Sequence, residues 1–326
     1  MTYSVGSTIL HDDYNIFATG AAGGGATNSG NVNNIWGVGN SQYGWGQSTT
    51  VGAVSAANSI TATQWSTLTS RINSIKTHQT GAGVSFTNTT GAGAANITAG
   101  QKIYQLSNLS SALSASYTAA GTATTTGGPA VYGTTTASTT AKSVDIGSQA
   151  KGSAGNTAVT YTFAWASLNA ARYFFNAGGY LQFSWALTNL GTAKTQSWSN
   201  LLSDLGSIRF GSLGTAYTGS SGTFNTSTNY TFYTIPSVAT RWFLKYNDTG
   251  VADYNSNYVD TYISISGSTI TVTINYNDAA ADTFGTWPNP SYRLADYINY
   301  PAVSTAIVYA PGTSYITDTW GTVTVT

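Results

Sequence analysis

Cysteine and glutamate are both absent, and charge of either sign is scarce. Eleven Lys and Arg stand against eleven acids, all of them Asp, so 7% of the 326 residues are charged and the net charge is zero. A typical soluble domain carries about 25% charged residues. Without Cys, a disulfide scaffold and a thiolate metal site are excluded. With only His11 and His78, so is a three-histidine zinc site. Eleven dispersed cations and no basic run cannot neutralise a phosphate backbone, so no nucleic-acid partner is expected. No run approaches the roughly 20 apolar residues that span a bilayer, so no membrane partner is expected, and the start does not read as a signal peptide.

What is present is aromatic, small and polar. Hydrophobic residues make up 41% and aromatics 13%, with 22 Tyr, 9 Trp and 36 Gly. That is enough apolar material for a buried core, which separates the chain from disordered polymers of low charge. A neutral surface of hydroxyls and amides gives little electrostatic protection against self-association, so copies of the same chain are the first partners expected.

The texture divides the chain into four. Residues 1–59 read as an irregular N-terminal arm of Gly, Asn, Ala and Ser, anchored by Tyr14, Phe17, Trp36, Tyr43 and Trp45. Residues 60–117 read as a helical module. Thr61-Ala62-Thr63-Gln64 has the pattern of a capping box, and Trp65, Leu68, Ile72 and Ile75 follow in one apolar stripe. His78 and Gly81 suit the helix end. Thr98 to Gln101 repeats the cap ahead of Ile103, Leu106, Leu109 and Leu113, which predicts a second helix. Residues 118–156 are low-complexity Thr, Ala, Gly and Ser: a linker, a surface arm, or a strand-like arm that pairs with a neighbouring subunit.

Residues 157–326 read as a β-rich domain with two short helices, one over 167–177 and one around Trp198 to Leu205. Period-two alternation marks strands at Val159 to Trp165 and Leu181 to Trp185, then at 230–235, 240–246, 258–266, 269–276, 305–309 and 321–326. Ile263 and Ile265 should face Ile270, Val272 and Ile274 across a type II′ turn at Gly267-Ser268. The fold class expected is α+β, mainly β: a helical N-terminal module followed by a sandwich or jelly-roll-like C-terminal region.

Catalytic patterns are sparse, and no enzyme activity is expected. There is no Gly-x-Ser-x-Gly elbow and no phosphate-binding loop. Asp278 and Asp282 could face each other as a carboxylate pair. No cofactor is expected. The best cation candidate runs from Asn247 through Asp248, Asp253, Asn255 and Asn257 to Asp260, with the alternate-oxygen spacing of a calcium loop. It lacks that loop's Gly and closing acid, and a turn between strands explains it better. Trp36, Tyr43, Trp45 and Trp287 are candidates either for stacking on a glycan or for anchoring an interface.

One run stands out: Ala171-Arg172-Tyr173-Phe174-Phe175-Asn176-Ala177-Gly178-Gly179, followed by an amphipathic strand and Trp198-Ser199-Asn200-Leu201-Leu202. It resembles a family of virion structural proteins of tailed bacteriophages, especially those of marine and cyanobacterial hosts. Tyr43-Gly44-Trp45-Gly46-Gln47, then Ile60-Thr61-Ala62, Trp65-x-x-Leu68 and His78-Gln79-Thr80-Gly81, resemble the same family's N-terminal half. The likeness covers roughly residues 35–210. It implies a virion component of the tail, baseplate or fibres, with other virion proteins as partners. Receptor binding through a host-surface glycan and capsid decoration remain as alternatives. Within the first run, Arg172, Phe174, Phe175, Asn176, Gly178 and Gly179 read as a fold-forming corner: aromatics against the sheet, Arg172 on carbonyls or a nearby Asp, Asn176 and Gly178 in a left-handed helix end, and Gly179 letting the next strand start tightly.

Overall fold

The computed structural model describes residues 11–20, 31–39, 43–48, 51–81, 135–146, 155–187, 193–212, 214–219, 226–247, 254–279 and 300–326. The chain forms two units, each assembled from three stretches. The first comprises Met1–Thr135, Asn169–Gly179 and Ala310–Gly321; the second comprises Thr136–Leu168, Tyr180–Tyr309 and Thr322–Thr326.

The first unit is helical. Helices α1 (His11–Ala18) and α2 (Val32–Trp36) lie within the stretch expected to be irregular. Helix α3 (Ala62–Thr80) follows, and α4 (Leu168–Asn176) joins the unit from Asn169 onward. Asparagine organises the coil between α2 and α3. Asn15 and Asn33 each donate Nδ2 to a carbonyl and accept at Oδ1 from the N–H of the same residue, Val54 and Val51 respectively, all at 2.8 Å. Each side chain thus pairs with backbone as a neighbouring strand would. Asn31 caps α2 by accepting from the Asn34 N–H at 2.8 Å.

The cap on α3 forms as its sequence dictates. Thr61 Oγ1 accepts from the Gln64 N–H at 3.2 Å, and Gln64 Oε1 accepts from the Thr61 N–H at 2.8 Å. Gly81 ends the helix at φ +74°. Between these ends Trp65, Leu68, Ile72 and Ile75 are buried, and Tyr14 of α1 packs on Trp65 with ring centroids 6.3 Å apart. Thr61→Ala should cost about 1 kcal/mol, the usual worth of such a cap, read from a chemical-denaturation midpoint. The second helix expected, over 98–113, lies outside the described residues.

The second unit is mainly β. Its strands are β1 (Thr135–Ile146), β2 (Gly155–Ala164), β3 (Tyr180–Leu187), β4 (Ile208–Gly211), β5 (Gly214–Tyr217), β6 (Thr226–Ser227), β7 (Thr240–Tyr246), β8 (Tyr258–Ser266), β9 (Thr269–Asp278), β10 (Tyr300–Ala310) and β11 (Thr324–Val325). Among the described residues they form two sheets. One has the order β1-β10-β3-β4-β5 and the other β11-β2-β9-β8-β7-β6. Helix α5 (Ala193–Leu205) packs on β3 and β7, and Gly206 at φ +59° follows it.

Rings join the sheets face to face. Tyr161 and Phe163 of β2 meet Phe183 of β3 at 6.1 and 5.8 Å, and Trp242 of β7 meets Phe183 and Phe210 at 6.0 and 5.7 Å, all edge-on. Each such pair adds about 0.5–1.5 kcal/mol beyond the area it buries. The Tyr161 hydroxyl donates to the Ser304 carbonyl across the sandwich at 2.6 Å.

Several strands follow expectation. Ile263 pairs with Val272 and Ile265 with Ile270. Gly267 alone of the two turn residues has positive φ, as a type II′ turn requires. Other segments depart from it. Residues 230–235 do not form a strand. Phe232–Thr234 is a 3₁₀ turn, because Thr234 Oγ1 accepts from the Thr231 N–H at 2.8 Å and Pro236 holds Ile235 extended. In β7 the register slips between Arg241 and Phe243, and this bulge lets the consecutive rings of Trp242 and Phe243 both be buried. Of 321–326, only Thr324–Val325 pairs as strand. The low-complexity stretch contributes β1, which is hydrogen-bonded to β10 of its own chain.

Candidate functional site

Three segments of the sequence resemblance come together in the first unit. Helix α4 ends in two hydrogen bonds of a Schellman turn: the Gly179 N–H reaches Phe174 O at 2.8 Å and the Gly178 N–H reaches Phe175 O at 3.0 Å. Gly178 has φ +100°, and a Cβ on Gly179 would lie 2.6 Å from the Phe174 ring. This turn leaves carbonyls pointing outward, and distant side chains take them up. Trp45 Nε1 donates to Asn176 O at 3.1 Å, Asn176 Nδ2 donates to Gly44 O at 3.0 Å, and His78 Nε2 lies 2.9 Å from Ala177 O. Arg172 Nη2 donates to Val38 O at 2.7 Å and sits over the Tyr173 ring, so it takes a carbonyl, one of the two kinds of partner expected for it. Gly46 passes so close to Tyr173 that a Cβ would fall 2.4 Å from the ring. Gln47 holds Thr317 by donating Nε2 to its carbonyl at 2.8 Å and accepting its N–H at 2.9 Å.

His78 is the titratable group at this junction. A carbonyl only accepts, so the imidazole proton resides on Nε2. Nδ1 is buried and has no hydrogen-bond partner among the described residues. The ring stands edge-on to Trp45 at 4.9 Å. Burial lowers its pKa from the ordinary 6.5, against the smaller opposing pull of Ala177 O. The folded chain therefore refuses a proton that the unfolded chain accepts. Stability from this site is complete above about pH 6.5 and declines as pH falls towards the depressed folded value. The thermal midpoint should drop between about pH 7.5 and pH 5.5, and His78→Gln, which keeps a donor for Ala177 O, should flatten that drop.

A second polar cluster lies buried in the second unit. Lys194, in the first turn of α5, places Nζ 2.6 Å from Asp278 Oδ2, with the side chains 1% and 2% exposed. Around them Asn247 Nδ2 donates to Ser197 Oγ and, at 3.2 Å, to Tyr254 O. The Asn247 N–H reaches Asn257 O at 2.8 Å. Tyr258 pairs with Asn277, the residue next to Asp278. Lys245, Asn247 and Asn257 are all buried. Tyr276, on the same face of β9 as Asp278, has its hydroxyl pKa pushed up by burial.

The other sequence candidates are dispersed. Trp36 and Trp45 are 3% and 1% exposed, packed on each other at 6.2 Å, so neither offers a face to a sugar; both are core anchors. Tyr43 is half-buried, and Trp287 lies outside the described residues. So do Asp248, Asp253 and Asp282. The Asp260 carboxylate is engaged by protein. Its Oδ1 accepts from Asn275 at 2.9 Å and Asn277 at 3.2 Å, and its Oδ2 lies 3.3 Å from Arg241 Nη2. Among the described residues, no group of three or more His, Cys, Asp or Glu could hold a metal, and no helix is long and apolar enough to cross a membrane.

Sequence reasoning missed Lys194, Ser197 and Lys245. One signal pointed to Lys194: a lysine in the first turn of a helix opposes the helix dipole and needs an anionic partner. Set against known proteins, the chain matches no family model, no curated protein and no solved structure.

Proposed function

We propose that this protein is a non-enzymatic structural component of a tailed-bacteriophage virion, associated with the tail, baseplate or fibres, and that it assembles as a homo-oligomer. One observation supports this reading above the others. The segments that carry the resemblance, around Trp45, His78 and Asn176, form a single junction whose polar groups bind backbone carbonyls. Side chains committed in this way position chain segments. Residues of a motif that meet across more than a hundred positions of sequence act as one architectural unit.

The neutral composition supports packing between copies, because no net charge pushes like surfaces apart. Among the described residues, the first sheet ends in the twelve-residue strand β1, and β11 covers only one end of β2. Long edges of this kind invite backbone pairing with another chain. Lys142 of β1 reaches in to donate to Thr160 O and stands over the Tyr161 ring, a charge that restrains promiscuous pairing while leaving a specific partner possible.

The test is gold-labelled antibody against this chain on purified particles. Label at the tail is the expected result. Label over the whole capsid would favour decoration, and particles without label would overturn the virion assignment.

A further inference from the structure

Lys194 and Asp278 are an amine and a carboxyl held in contact where water is excluded. Their 2.6 Å separation and 1% and 2% exposure put both groups beneath α5, beside the buried rings of Trp198 and Tyr276. Keeping two charges in such a place is costly. That cost vanishes if the ammonium passes its proton to the carboxylate and the neutral pair condenses. In solution, water drives this reaction backwards. In a closed site the released water leaves, and fixed apposition supplies an effective concentration beyond any attainable in solution. With no cysteine in the chain, a disulfide cannot hold these two elements together.

We propose that Lys194 and Asp278 form a self-processing cross-link site that closes an intramolecular isopeptide bond in the folded chain. The Nζ lone pair attacks Cγ of the protonated Asp278 carboxyl, forming the C–N bond. The C–O bond to the hydroxyl then breaks, and that hydroxyl departs as water with a proton from nitrogen. A neutral secondary amide remains. Nothing is oxidised or reduced, and no co-reactant is consumed. The bond ties the first turn of α5 to the last residue of β9. The inference stands independently of the virion role, although a covalent tie suits a part under mechanical load.

Intact-mass measurement of the full chain, purified folded and then denatured, tests it. The mass should fall short of the sequence mass by one water. Trypsin should no longer cut after Lys194, and the peptide containing Lys194 should be recovered joined to the one containing Asp278. Lys194→Arg keeps a cation for Asp278 but removes the nucleophilic amine, so its mass should return to the full sequence value. An unshifted wild-type mass overturns the proposal. So does a water loss with no joined peptides, which is the signature of an aspartyl succinimide elsewhere in the chain.

Discussion

Replacing Trp45 with alanine is expected to destabilise the first unit by about 3–5 kcal/mol, the usual cost of removing a large buried ring. The ring is 1% exposed and touches Trp36 on one side and His78 on the other. Its loss opens a cavity against both. It also strands the Asn176 carbonyl, which ends α4 and receives the indole N–H. A buried acceptor left unmade costs about 1–3 kcal/mol, part of which is already inside the larger figure. Trp45→Phe separates the two effects, because it restores most of the volume but not the donor; about 1–3 kcal/mol should remain. Two units need not unfold together, so the measurement should be local. Amide exchange in α3 and α4 should accelerate in Trp45→Ala while β8 and β9 exchange as before. Equal acceleration in all four elements, or none, would show that the junction does not hold the helical unit together.

Elements whose causes are local were legible from the sequence. The α3 cap needs only Thr61 and Gln64 three positions apart, and the β8–β9 hairpin needs only Gly267 between two alternating runs. The corner at Ala177 to Gly179 was readable for the same reason, since a left-handed helix end is written in its glycines. At 230–235 the alternation was real, but a hydroxyl cap and Pro236 outweighed it. In β7 a single bulge let two adjacent rings share one face, which strict alternation forbids. The candidate site was half legible. Its segments could be singled out, yet Trp45 meets Asn176 through a bond between positions 131 apart, and no periodicity encodes such a pairing. The burial of Trp36 and Trp45 was hidden likewise. Glycine-flanked aromatics look exposed in sequence, and only close passages such as Gly46 against Tyr173 turn them inward. Lys194 was obscured by its type, since lysine is seldom buried and its partner lies on another element.

Asp278→Ala is expected to cost the second unit about 3–5 kcal/mol, because it strands a buried ammonium beneath α5. The more informative variant replaces both partners with apolar residues, Lys194→Met with Asp278→Leu. Were the two groups joined only by charge, this double variant should recover most of the loss, since well-packed apolar residues often replace a buried ion pair at no cost. A covalent tie predicts otherwise. Cross-linking restricts the unfolded chain, and a loop of this length contributes about 4–5 kcal/mol on the entropic scale used for disulfides. Apolar packing removes the stranded charge but restores none of that constraint, so the double variant should stay about 4–5 kcal/mol below wild type. Chemical denaturation reads both terms at once: the tie compacts the unfolded state and lowers the slope m, whereas an ion pair leaves it unchanged. A double variant within about 1 kcal/mol of wild type, at the wild-type slope, would identify the contact as an ordinary buried salt bridge.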